Sequence, residues 1–190
     1  MSKNKELLDE IHACLHSVTK DRDKLETILK FCRENIVTEP EKHEIPEKYK
    51  QLVSNVAEEL LSGMICFVNG DTLETESVPR EMIEDPFGFE VINGGDPNDW
   101  NSEHKTWKNC ITVNPMESFE SFNIMERFVN EVDDEVFRKK LTSALQRKKP
   151  FSNFNYLIEG SEYRQKWFDF RQTETEDYVY TLLYSELERD

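Results

Sequence analysis

The chain has little of what usually carries chemistry. Its 190 residues hold only four cysteines and four histidines. Apart from His12, Cys14 and His16 they are dispersed, and no full ligand set stands at metal-ligand spacing, so no metal is expected. Cys14, Cys32, Cys66 and Cys110 each fall in an apolar stripe, and no two are close in sequence. The pattern suggests four buried thiols, with Cys14–Cys32 as the one pairing to check. Long hydrophobic runs are missing too. The longest, from Gly63 to Val68, is far short of the roughly 18 residues of a spanning helix. The opening MSKNKELLDE has no apolar core of a signal peptide and no small-residue cleavage site. The expectation is a cytoplasmic protein that makes no use of a membrane.

Basic residues are outnumbered, 24 Lys and Arg against 39 Asp and Glu, giving a net charge of −15. Such a chain is repelled by nucleic acid and anionic membrane unless it carries a local basic patch. What is present suffices for a folded body: 37% hydrophobic residues, of which aromatics make up 11% of the chain.

Leu7, Leu8, Ile11, Cys14, Leu15 and Val18 recur at helical spacing. Asp21 is placed to cap a second helix carrying Leu25, Ile28, Leu29, Cys32 and Ile36. Residues 37–46 read VTEPEKHEIP, a polar linker with two prolines. Residues 1–42 are therefore read as a helical hairpin, separate from a domain at 46–190. Pro46 opens a helix bearing Tyr49, Leu52, Val53, Val56, Ala57, Leu60 and Leu61, and Gly63 closes it. Two strands follow, from Met64 to Val68 and from Leu73 to Val78, joined at Asn69-Gly70, which favours a two-residue hairpin unless Asp71-Thr72 lengthen the loop. Arg80 to Trp107 is read as a long acidic loop, and Cys110 to Val113 as a third strand. Four more helices are expected, starting at Ser118, Asp133 or Asp134, Pro150 and Ser161. In the last, the apolar period is taken to run through Tyr163, Trp167, Phe170, Tyr178, Leu182 and Ser185. The class is α+β, mostly helical, with a small three-stranded antiparallel sheet covered on one face by helices.

Few motifs compete for a catalytic role. His12 and His16 stand at i and i+4 around Cys14, but no third ligand and no general base accompanies them, so they read as solvated flanks. Glu58-Glu59, Glu84-Asp85, Asp133-Asp134 and Glu176-Asp177 sit at helix starts, on polar faces or in loops. Capping and the helix dipole explain acids at helix starts. Asn93-Gly94-Gly95-Asp96 lacks the spacing of a phosphate-binding loop. No catalytic residue and no cofactor follow.

The most informative stretch runs from Met116 to Phe170. Within it, SFNIMERFVNEV, LTSALQRKKPFSNFNYL and YRQKWFDF together resemble uncharacterised protein family 0158. The likeness extends more weakly through IPEKYKQLVSNVAEELLSGMICFVNGDTLETESVP. It implies a bacterial source and supplies no catalytic residue. The chain departs from it at Asn155, where the resemblance leads one to expect Lys.

Charge is unevenly spread. Residues 71–103 hold ten acids against Arg80, whereas residues 136–150 hold six Lys or Arg and no acid. The simplest expectation is that the basic patch docks on the chain's own acidic loop. The sharper one is an anion site: Arg147, Lys148 and Lys149 beside the open amides at Pro150, with Tyr156, Tyr163 and Trp167 available for stacking on single-stranded nucleic acid, although their helical spacing makes them core residues first. The sequence thus points to a non-catalytic interaction or regulatory module with a protein partner. An anion or nucleic-acid binder using 136–150, with Tyr163 and Trp167 beside Arg147, Lys148 and Lys149, is the second reading. An enzyme acting on a small anionic metabolite is the third.

Overall fold

A computed structural model describes residues 3–35, 44–93 and 102–187. Its contacts divide the chain into two units, Met1–Glu41 and Lys42–Asp190.

The first unit is a pair of helices, α1 (Lys3–Ser17) and α2 (Arg22–Asn35). Asp21 caps α2 as its position suggests: its Oδ1 accepts from the Lys24 amide at 3.2 Å. Leu15, Val18, Leu25, Ile28 and Cys32 are half-buried, whereas Leu7, Leu8, Ile11, Leu29 and Phe31 remain more than half exposed. The expected linker falls mostly outside the described residues.

The second unit begins with α3 (Glu47–Leu61), which Gly63 terminates in the left-handed conformation, φ 86°. Strand β1 (Met64–Asn69) then lies at the centre of a three-stranded antiparallel sheet of order β2-β1-β3, between β2 (Thr75–Pro79) and β3 (Cys110–Val113). The connection after β1 is longer than a two-residue hairpin. Asn69 Oδ1 accepts from the amides of Asp71 and Thr72, and Leu73 rather than Gly70 takes positive φ, at 63°. An Asx turn thus delays the second strand to Thr75. Leu73 packs against the core instead of pairing in the sheet.

The sheet is covered on both faces, not one. Cys66, Val68 and Val113 meet α3 and the last helix, while Ile65, Phe67 and Val78 meet Met82, Phe89 and Trp107. The uninterrupted run Ile-Cys-Phe-Val in β1 is the reason, since successive side chains of a strand point to opposite faces. The second cover comes from the segment expected to be a loop. It forms α4 (Arg80–Glu84) and α5 (Pro86–Asn93), and Glu103–Thr106 makes a 3-10 turn. Pro86 opens α5, and Asp85 Oδ1 accepts from the Gly88 amide at 3.0 Å, so proline and acid here start a helix.

The remaining helices are α6 (Ser118–Asn130), α7 (Glu135–Leu145), α8 (Pro150–Glu159) and α9 (Arg164–Leu187). Glu117 and Glu120 form a capping box at the start of α6. Asp134 caps α7, accepting from the amides of Val136 and Phe137. Phe128, Leu141, Leu145, Phe154, Ile158 and Trp167 form a second core, with Phe122 and Phe170 packed against it. Helix α9 joins the two cores. Trp167 lies in the helical core, and Val179, Tyr180 and Leu183 lie on the sheet. Its buried line runs Trp167, Thr175, Val179, Leu183, one position away from the expected Tyr178 and Leu182. Threonine on that line disguises the period.

Candidate functional site

The six cations of 136–150 fall on α7 and on the turn between α7 and α8. Arg147, Lys148 and Lys149 are exposed in that turn. Lys149 adopts φ 60°, ψ 56° just ahead of Pro150, a left-handed conformation unfavourable for a residue with a Cβ. The turn is held from α8: Asn153 Nδ2 donates to the Lys148 carbonyl at 2.9 Å, and the Asn153 amide donates to the Lys149 carbonyl at 3.1 Å.

Among the described residues, this patch makes no ion pair with the acidic segment. Among the described residues, only Lys139 of the six forms an ion pair, with Glu135 on its own helix. Two acids of the segment turn elsewhere. Glu76 accepts from the backbone amide and lies 3.0 Å from Nδ1 of His104, which stacks on Phe67, and Glu84 pairs with Arg80 at 2.7 Å. Local i,i+4 geometry and the second cover of the sheet thus engage these two acids.

The expected stacking aromatics divide. Trp167 is 5% exposed, edge-on to Phe128 and Phe154 at 5.1 and 5.0 Å between ring centres. Tyr163 stacks on Phe137 at 5.4 Å, and its hydroxyl accepts from the Asp134 amide. Both hold the helical core together and neither stands as an open platform beside Arg147, Lys148 and Lys149. Tyr156 is the exposed one, at 82%. It lies on the face of α8 opposite Phe154 and Ile158 and lines an open groove of about 570 Å³ with Lys139, Lys140, Arg147, Val136 and Leu157. Val136 is also mostly exposed. The sequence signal was Tyr156 falling off the apolar stripe of its own helix.

Other candidates gain nothing. His12 and His16 are exposed on α1, and no group of three metal-ligating side chains occurs among the described residues. Of the cysteines, Cys66 is buried and Cys32 half-buried, but Cys14 and Cys110 are exposed, and all four are free. The expectation of four buried thiols fails because α1 is largely uncovered and Cys110 begins an edge strand. Burial pushes the Cys66 thiol up to about 12. Among the described residues, no helix is long and apolar enough to cross a membrane.

Residues 101–186, from the 3-10 turn through β3 and α6 to α9, match the model of an uncharacterised protein family, UPF0158. This segment belongs to UPF0158. The match covers the aromatic core and the α7–α8 groove, and the family's description assigns no activity. The weaker resemblance over residues 45–79 lies outside the matched residues. No curated protein and no solved structure matches the chain.

Proposed function

We propose that this UPF0158 protein is a non-catalytic interaction module of the cytoplasm, whose α7–α8 groove receives an acidic segment of a partner protein. The carrying observation is the groove itself: Lys139, Lys140 and Arg147 around the exposed side chains of Val136 and Tyr156. Cations supply attraction and on-rate, while an apolar floor with an exposed tyrosine supplies the kind of anchor that dominates interface energy. A partner of matching chemistry presents Asp or Glu around one or two large apolar side chains. The left-handed Lys149 adds support. Glycine or asparagine would fit that conformation at less cost, and strain retained at a surface lysine is a functional pointer.

The test compares three polyanions at low and high salt: a peptide alternating Glu with Leu, polyglutamate of equal length, and single-stranded oligothymidine. The Glu-Leu peptide is expected to bind best, and to lose affinity both on Arg147→Glu/Lys148→Glu/Lys149→Glu and on Tyr156→Ala. Tighter, salt-steep capture of oligothymidine, lost in the triple variant, would make this a nucleic-acid site. Absence of binding by all three would remove the reading.

A further inference from the structure

A second cavity, of about 250 Å³, opens where α3, α6, α8 and α9 meet beside the Pro115-Met116 segment. Its walls include Leu60, Ile124, Met125, Phe151 and Trp167, and its polar side chains are Ser121, Asn155, Arg171 and Thr175. Most of the lining is apolar and one cation stands in it, the usual composition of a small-ligand pocket.

Arg171 is half-buried, and its Nε is fully enclosed without a hydrogen-bond acceptor. Its guanidinium lies over the rings of Phe168 and Trp167, at 5.2 and 5.9 Å. No described acid neutralises it. The neighbouring acids of α9 are engaged elsewhere: Asp169 accepts from Gln165, Glu174 pairs with Arg127, and Glu176 accepts from Ser54 and Gln172. Burial lowers the Arg171 pKa, with no opposing carboxylate to restore it. A half-buried cation with no opposing carboxylate is costly to a fold, and a ligand anion on the open edge of the guanidinium offsets that cost.

We propose that this cavity binds a small carboxylate with an apolar body, its carboxylate held by Arg171 and its body lying against Met116, Met125 and Trp167. Size follows from volume. A cavity of about 150 Å³ holds benzene, so this one suits a molecule of about ten non-hydrogen atoms. Charge follows from the single guanidinium, whose planar fork matches one carboxylate. A phosphate dianion calls for more positive charge than these walls contain. The site is independent of the α7–α8 groove, and either can fail without the other.

The experiment uses the full chain labelled at its methionine methyl groups and titrated with 3-phenylpropanoate, 3-phenylpropan-1-ol and phenyl phosphate. The carboxylate should move the Met116 and Met125 signals and leave those of Met64 and Met82 in place. The alcohol should bind roughly ten- to a hundredfold more weakly, the loss associated with a hydrogen bond to a charged group. Arg171→Met, which keeps an apolar stem, should erase the difference between acid and alcohol. Should that variant fail to fold, the comparison in the unaltered protein decides alone. Equal affinity for acid and alcohol, tighter binding of phenyl phosphate, or unmoved Met116 and Met125 signals at about 10 mM ligand would each overturn the assignment.

Discussion

Phe128 is the side chain on which the helical core is most exposed to test. It is fully buried, and its ring centre lies 5.1 Å from Trp167, 5.5 Å from Phe170 and 6.3 Å from Phe154. Phe128→Ala removes the ring from a site bounded by three other rings on two helices, α8 and α9. Truncation of a buried phenylalanine costs about 3–5 kcal/mol. The upper half of that range is expected here, because neighbouring rings cannot collapse into the void without leaving their edge-on geometry. The individual ring pairs are each worth about 0.5–1.5 kcal/mol, but they share one ring and do not add. Against a total stability of about 5–15 kcal/mol, a loss near 4 kcal/mol leaves little. For a chain of this size it corresponds to a fall in Tm of roughly 8–16 °C. Urea unfolding followed by far-ultraviolet circular dichroism measures it. Phe119→Ala, at an exposed position on the same helix, should change stability by no more than about 0.5 kcal/mol. A loss below about 1 kcal/mol for Phe128→Ala would refute the packing described and place that ring at the surface.

Three further outcomes are expected. Lys149→Gly should raise stability by about 0.5–1 kcal/mol, because glycine takes positive φ without steric cost, and thermal melting of the two proteins reads the difference. Iodoacetamide at pH 8 should label exposed Cys14 in the folded protein and leave Cys66 unlabelled until urea is added, since a thiol near 12 is only about 10⁻⁴ thiolate at that pH; early loss of the Cys66 thiol would contradict its burial. Fragment 46–190 should unfold in one cooperative transition, and an insoluble or molten fragment would show that α1 and α2 contribute to the larger core.

Much of the helical half was legible because its signals are local and agree with one another. Pro150 and Gly160 bound α8, Asp134 caps α7, and Phe128, Phe154 and Trp167 keep a helical period that tertiary packing then uses. The sheet was legible in strand number but not in its second cover. Arg80 to Asn93 is rich in acid and carries Pro86 and Gly88, which by composition reads as loop. Yet Met82 and Phe89 are the side chains that bury the far face of β1, and no local pattern announces a contact made across the sheet. The site divides in the same way. Clustered cations are visible as charge along the chain, so the basic side of the proposed groove is legible there. Helical spacing marks Tyr156, Tyr163 and Trp167 as core residues first, and the fold does consume Tyr163 and Trp167; that Tyr156 faces solvent instead depends on neighbours distant in sequence. Arg171 carries no such local signal. Its spacing of four from Trp167 was available, but a cation without a partner is visible only once every possible partner has been placed.

The groove and the cavity share one element. Helix α8 turns Tyr156 and Leu157 toward the groove and Phe151 and Asn155 toward the cavity, while Phe154 and Ile158 anchor it in the core between them. A ten-residue helix pinned at two fully buried side chains moves as a body, if it moves at all. Substitution on one face therefore has a defined meaning for the other. Tyr156→Ala removes contact area from the groove and nothing from the cavity, so it should leave ligand-induced shifts of Met116 and Met125 unchanged when α8 is rigid. Were those shifts to change, α8 would have two positions, and the coupling would have to be reciprocal: a cavity ligand would alter groove affinity by the same factor as a groove ligand alters the cavity. Measuring both directions separates a helix that merely carries two sites from one that connects them.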